Sequence, residues 1–225
     1  MRINMMGSGG GGASDTKVFE ADTLVEAATV RAHDYQTLRG QFETLRATFQ
    51  GVTQLGGSDF QGRGADAIRS FYEAQSHVVD AWLRLIDKRI AFFKGIPGMI
   101  DNKNLGGDTY VNVPFLEDDL VFGRLRSSQL IEQQQDGIRK ILNRISDLVT
   151  IDVFSTKSVE NKLDEADDRR QKMVHDVRSL DQELTSEYRQ LDMDFQYVAA
   201  LYSELMNATR VRSYGIGTHN PDFWT

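Results

Sequence analysis

Apolar residues recur at alternating steps of three and four along four stretches of this chain, and each stretch predicts a long helix with a heptad stripe on one face. The first stretch holds Leu24, Ala28, Tyr35, Leu38, Phe42, Leu45, Phe49 and Val52, with only Arg31 interrupting the seam. Thr23-Leu24-Val25-Glu26 has the form of a capping box, which satisfies two orphan amide donors, so the helix is expected to begin at Thr23 and run to about Leu55. Gly56-Gly57-Ser58-Asp59 breaks the pattern with turn residues, and Ser58 or Asp59 is the expected cap of a second helix from about Phe60. In that helix Ile68, Phe71, Gln75, Val78, Trp82, Leu85, Arg89 and Phe92, flanked by Tyr72, Val79, Ile86 and Phe93, make a wide apolar face. It is expected to stop at Gly95-Ile96-Pro97-Gly98, because Pro97 disfavours helical geometry at the residue before it.

Met99 to Phe115 reads as a loop ending in a short extended stretch at Tyr110-Val111-Asn112-Val113-Pro114. A third helix is expected from about Leu116 to Leu148, carried by Leu120, Leu125, Ile131, Ile138, Ile141, Leu142, Ile145 and Leu148, with a polar middle from Ser127 to Gly137. After a break at Thr150 to Phe154, Ser155 or Thr156 is placed to cap a fourth helix reaching about Asn207. Its stripe of Val159, Leu163, Ala166, Met173, Val177, Leu180, Leu184, Tyr188, Leu191, Phe195 and Val198 is narrow and its other faces densely charged, as in a coiled-coil partner or a helix with much of its length in water. The expected fold is all-α: an elongated bundle of long antiparallel helices, built on a helical hairpin and closed by a long C-terminal helix.

Composition narrows the function by exclusion. The chain carries a net charge of -7, which argues against nucleic acid as principal ligand, since that needs a clustered basic face, and disfavours an anionic membrane surface. It has no cysteine, hence no disulfide framework and no thiolate metal site. No apolar run approaches the roughly 18 residues of a spanning helix, so stable membrane insertion is not expected. The N-terminus lacks the charged-then-apolar pattern of a cleavable signal peptide. Residues 1–16 include the run Gly7-Ser8-Gly9-Gly10-Gly11-Gly12-Ala13-Ser14 and read as a flexible leader, either a cloning remnant or an extension from a misplaced start codon. The folded domain is expected over 17–210, with 211–225 as a tail or linker. His33, His77, His175 and His219 are far apart and none has a second ligand at metal spacing. The acidic pairs Asp118-Asp119 and Asp167-Asp168 point to different sides of a helix. No phosphate loop, dinucleotide fingerprint or nucleophile elbow occurs. An enzyme is therefore not expected, nor a metal or a cofactor.

One set of segments is more specific than generic helix. Phe60-Gln61-Gly62-Arg63-Gly64-Ala65-Asp66-Ala67-Ile68-Arg69-Ser70-Phe71-Tyr72 lies at the turn between two long helices, where small residues let the hairpin arms approach. Taken with Lys17-Val18-Phe19-Glu20-Ala21-Asp22-Thr23-Leu24, with Phe92-Phe93-Lys94-Gly95-Ile96-Pro97-Gly98 and with Phe154-Ser155-Thr156, it resembles the LXG domain, the N-terminal domain of polymorphic toxins exported by the type VII secretion system of Gram-positive bacteria. The resemblance runs from about Lys17 to Asn207. Its Leu-x-Gly signature corresponds to Phe60-Gln61-Gly62, with Leu55-Gly56-Gly57 as the competing placement, and Phe60, Gly62 and Gly64 form the turn motif. The hairpin also resembles the small secreted WXG-type proteins.

The resemblance implies a non-catalytic targeting module that binds small WXG-like helical proteins encoded nearby and brings the toxin to the type VII export machinery. Such a protein is cytoplasmic before export and leaves without a cleaved signal peptide. It also implies an effector domain beyond residue 210, which this chain is too short to hold. Phe42, Phe49, Trp82 and Phe93 are the candidate partner-docking residues, and Tyr188 with Asp192 fits the Tyr-x-x-x-Asp/Glu form of an export motif. At i and i+4 that ring and carboxylate share a helix face; the plainer alternative makes Tyr188 a seam position and leaves Asp192 in solvent. A self-associating coiled-coil scaffold is the alternative for the whole chain.

Overall fold

The structure is a computed structural model that describes residues 17–56, 60–148 and 151–214, with side chains through 208. Strand β1 (Val18–Glu20) leads into helix α1 (Ala21–Thr53), followed by α2 (Arg63–Asn102), strand β2 (Tyr110–Asn112), a π-helical turn (Phe115–Asp119), α3 (Leu120–Arg144) and α4 (Lys157–Tyr214). The fold is all-α apart from one small antiparallel strand pair, in which Phe19 sits opposite Val111. The expected leader, the Ser58 or Asp59 cap and the tail from 215 lie outside the described residues. Two compact units divide the chain: 17–22 with 100–181, and 23–99 with 182–214.

In the second unit α1 and α2 run antiparallel through a ladder of alternating aromatic and charged rungs. Ring pairs Tyr35–Phe93, Phe42–Trp82 and Phe49–Tyr72 have centroids 5.8, 5.7 and 5.4 Å apart. Between them Arg39 Nε meets Asp87 at 2.6 Å and Arg46 Nε meets Asp80 at 2.9 Å. Aromatic pairs add about 0.5–1.5 kcal/mol beyond the area they bury, and the ion pairs between them fix which residue faces which. The seam therefore differs from the apolar stripe expected of the sequence. It passes through Ala28, Ala32, Tyr35, Arg39, Phe42, Arg46 and Phe49, so Arg31 interrupts nothing and Leu45 is exposed. The C-terminal half of α4 packs antiparallel to α2, with Trp82 edge-on to Phe195 at 5.8 Å and a buried cluster of Ala81, Leu85 and Val198.

Two expected helix boundaries are corrected. Helix α1 starts at Ala21 rather than at a Thr23 cap, because strand pairing delivers the chain there: the Ala21 amide donates to the Thr109 carbonyl at 3.0 Å. Helix α2 does not end at Pro97 but continues to Asn102. Proline inside a helix costs about 3 kcal/mol, yet Ile96 and Ile100 on either side are 2% and 0% exposed, and burying each contributes about 1.5–3 kcal/mol.

The stop comes from Asn104. Its φ of 54° is left-handed; the Leu105 amide donates to Ile100 O at 3.1 Å and the Asn104 amide to Asp101 O at 2.9 Å. This is a Schellman motif, and its customary apolar contact is supplied by Ile100 and Leu105, both fully buried. In this first unit the buried residues also include Phe19, Val111, Val113, Val174, Val177 and Leu180. Lys17 Nζ to Asp181 at 2.7 Å and Arg178 to Glu117 at 2.7 Å tie the middle of α4 to the strand and the π turn. The third helix, expected from Leu116 to Leu148, is the π turn followed by α3, which ends at Arg144. The fourth begins at Lys157 as expected, with Thr156 O accepting the Glu160 amide at 3.0 Å, and runs past Asn207 to Tyr214.

The turn between α1 and α2 is held by a residue the sequence reading gave no role. Arg69 donates to Leu55 O at 2.9 Å and to Phe60 O at 2.7 Å, and its guanidinium lies over the Phe60 ring at 5.2 Å. Gly62 has φ +92° and its carbonyl accepts the Asp66 amide at 3.1 Å, so glycine is required there by the backbone. Among the described residues neither Gly62 nor Gly64 is the close-approach glycine expected, since a Cβ at either would meet none of them within 4 Å. The buried small residue is Ala65. Gly62→Ala is expected to cost about 1 kcal/mol of stability in urea unfolding, while Gly64→Ala, in open space in the first helical turn, should be neutral or stabilising.

Candidate docking surface

The four aromatic residues named as docking candidates are placed inside the second unit. Phe42 and Trp82 face each other, Phe49 meets Tyr72, and Phe93 is buried against Tyr35. They make the chain's own hairpin, and a heptad stripe alone does not reveal whether its partner lies in the same chain.

Tyr188 and Asp192 converge on one cation, Arg89 of α2. Arg89 Nη1 donates to Tyr188 Oη at 2.8 Å and to Tyr35 Oη at 3.2 Å, and its guanidinium stands 5.3 and 5.7 Å from the two ring centroids. Asp192 lies 3.7 Å from Nη2 and remains exposed. The Arg89 side chain is only 11% exposed. Burial works against its charge, but the Tyr188 and Tyr35 hydroxyls outweigh it and raise its pKa above the ordinary value. Tyr188 also packs on Phe92 and Phe93, at 5.5 and 6.3 Å. Arg89→Leu is expected to destabilise the unit by about 2 kcal/mol in urea unfolding, because both hydroxyls lose a charged partner in a half-buried place; an unchanged midpoint would contradict this role.

The first unit presents the opposite arrangement. Helix α3 and the N-terminal half of α4 form an antiparallel hairpin tied by Arg124 to Asp164 at 2.5 Å and to Asp167 at 2.9 Å, and by the Gln135 amide to Phe154 O at 3.2 Å. Arg170, and then Gln171, hold the Asp167 carboxyl below the usual carboxylate range. Along this hairpin Ser128, Ile131, Gln135 and Leu142 are half-buried toward α4, yet no residue of α3 is buried. Burial on α4 begins only at Val174. Phe122, Leu125, Leu130, Ile141, Leu148 and Val159 are all exposed, so this is a two-helix layer with uncovered apolar side chains. A helix in water keeps large apolar residues off its outer faces, so several exposed along one hairpin set this layer apart from the closed α1–α2 hairpin. The polar middle noted in α3 belongs to this uncovered state.

Among the described residues no group of three or more His, Cys, Asp or Glu is placed to hold a metal, and no helix is long and apolar enough to cross a membrane.

Residues 17–218 match the family model described as the LXG domain of the WXG superfamily. Toxin YwqJ of Bacillus subtilis (strain 168) is 39% identical over 194 residues, covering 86% of this chain and 32% of that protein, so the chain spans about a third of its relative's length. With the matched span running from the first strand through the long last helix, the chain belongs to the LXG domain family.

Proposed function

We propose that this chain is the N-terminal targeting domain of a type VII-secreted polymorphic toxin used in competition between bacteria, and that it works by docking small WXG-like helical proteins encoded beside it. The observation that carries the reading is the uncovered α3–α4 hairpin, where no residue of α3 is buried while the α1–α2 hairpin has closed on itself. Likeness over 32% of a relative named as a toxin supports an effector activity that resides outside the aligned part. The domain itself is non-catalytic, and its contribution is to present the attached protein to the export machinery. Tyr188 and Asp192 are held by Arg89, so an export signal there is read as part of the folded three-helix unit rather than as a free segment.

Co-expression with the neighbouring small helical proteins, followed by pull-down and light scattering, tests this. A stable complex of defined mass is expected. A homodimer that ignores those proteins contradicts the targeting role and favours the self-associating scaffold.

A further inference from the structure

We propose that the outer stripe of α3 receives an amphipathic helix with acidic flanks from a partner protein; the inference rests on the targeting reading and specifies the chemistry of the partner. Phe122, Arg126, Leu130, Gln133, Gly137, Ile141 and Arg144 follow one another at steps of four, four, three, four, four and three. At roughly 100° per residue they share one side of α3, opposite the side that carries Ser128, Ile131, Gln135 and Leu142 toward α4. This is a second seam, of eleven-residue spacing, and among the described residues nothing covers it. Phe122, Leu130 and Ile141 are 70%, 54% and 61% exposed.

The charges on this side have one sign. Arg126, Lys140 and Arg144 lie on or beside the stripe, and no carboxylate within α3 does, the nearest being Asp119 at its N-cap. The two acids of α3, Glu132 and Asp136, sit round the helix on its flank, where Asp136 pairs with Arg139 at 2.5 Å. Five basic and two acidic residues give α3 a net charge of +3 inside a chain of net -7. A face on which apolar residues alternate with cations, and on which α3 places no carboxylate, is complementary to a helix with leucine-like residues inside and glutamates at the flanks, because the long arginine stems let the guanidiniums reach outward to those flanks. Gly137 leaves open space at mid-stripe, where a partner side chain can seat. Three cations on one helix of an acidic chain are too few for an anionic bilayer or a phosphate backbone, each of which rewards a broad basic face.

The test uses two synthetic amphipathic helices of equal length with the same Leu/Ile seam, one with Glu and one with Lys at the flanks, titrated against the whole chain by fluorescence anisotropy. The Glu-flanked helix should bind at least about tenfold tighter, with the preference weakening in salt and reversing in the R126E/K140E/R144E variant. Equal binding of the two helices to the unaltered chain overturns the proposal without recourse to any variant. So does binding to phosphatidylglycerol vesicles that the charge reversal abolishes while the helices go undiscriminated, or self-association that the same reversal dissolves. If the neighbouring helical proteins co-purify equally with the unaltered and reversed chains, the targeting role stands and this inference falls. If they fail to co-purify at all while the Glu-flanked helix is still preferred, the targeting role falls and this inference stands.

Discussion

Trp82→Ala is expected to lower stability by about 3 kcal/mol and the melting temperature by roughly 6–12 °C, read by thermal circular dichroism. Trp82 meets both other helices of its unit through a ring: Phe42 of α1 at 5.7 Å and Phe195 of α4 at 5.8 Å. It also packs on the buried Ala81, Leu85 and Val198. Truncation leaves a cavity at the point where three helices meet, and the straight Arg–Asp rungs on α1 and α2 limit how far the walls can close. Because the indole is only half-buried, the lower end of the usual range for large aromatics applies. Trp82→Phe retains both ring contacts and should cost less than half as much. A melting temperature within about 2 °C of the unaltered protein would show that the ladder does not hold the unit together.

The double substitution of Phe122 and Ile141 by Ser should do the reverse: leave the melting temperature within about 2 °C, yet reduce partner affinity by about 100-fold or more. Both side chains are exposed in the free chain, so folding gains little from them. Each contributes about 1.5–3 kcal/mol when a partner covers it, and two such losses amount to at least two decades in affinity. Isothermal titration with the co-expressed helical protein measures the effect. Retention of affinity within threefold would place the interface elsewhere.

These two substitutions mark what was readable from the chain. The heptad stripes gave the helices and their antiparallel hairpins, because a 3.5-residue repeat survives whatever lies against it. They did not distinguish an internal seam from an external one. Phe42, Phe49, Trp82 and Phe93 look like a docking stripe until Arg39 and Arg46 are seen to pair with Asp87 and Asp80 and close the seam within the chain. Conversely, α3 has a polar middle from Ser127 to Gly137, and its apolar residues fall on more than one side. Which side is outward depends on Arg124 reaching Asp164 and Asp167 forty or so residues away, a distance along the chain that local periodicity does not span.

Two features of the chain are local but act through their surroundings. Pro97 is no stop because Ile96 and Ile100 continue the apolar face beyond it, and the actual stop, Asn104 followed by Leu105, has the form of a Schellman end. Arg69 lay inside the segment quoted for the turn, but its hold on Leu55 O and Phe60 O depends on the fold of the turn itself. The three-residue strand β1 is too short to show an alternation, and it is specified by pairing with β2.

Hydrogen–deuterium exchange of the chain alone and in complex with a co-expressed helical partner tests the docking assignment most directly. Docking on the uncovered hairpin predicts new protection in 120–144 and 157–166, with 72–93 unchanged because its seam is already closed. Protection confined to 42–93, with α3 exchanging as fast as in the free chain, would contradict it.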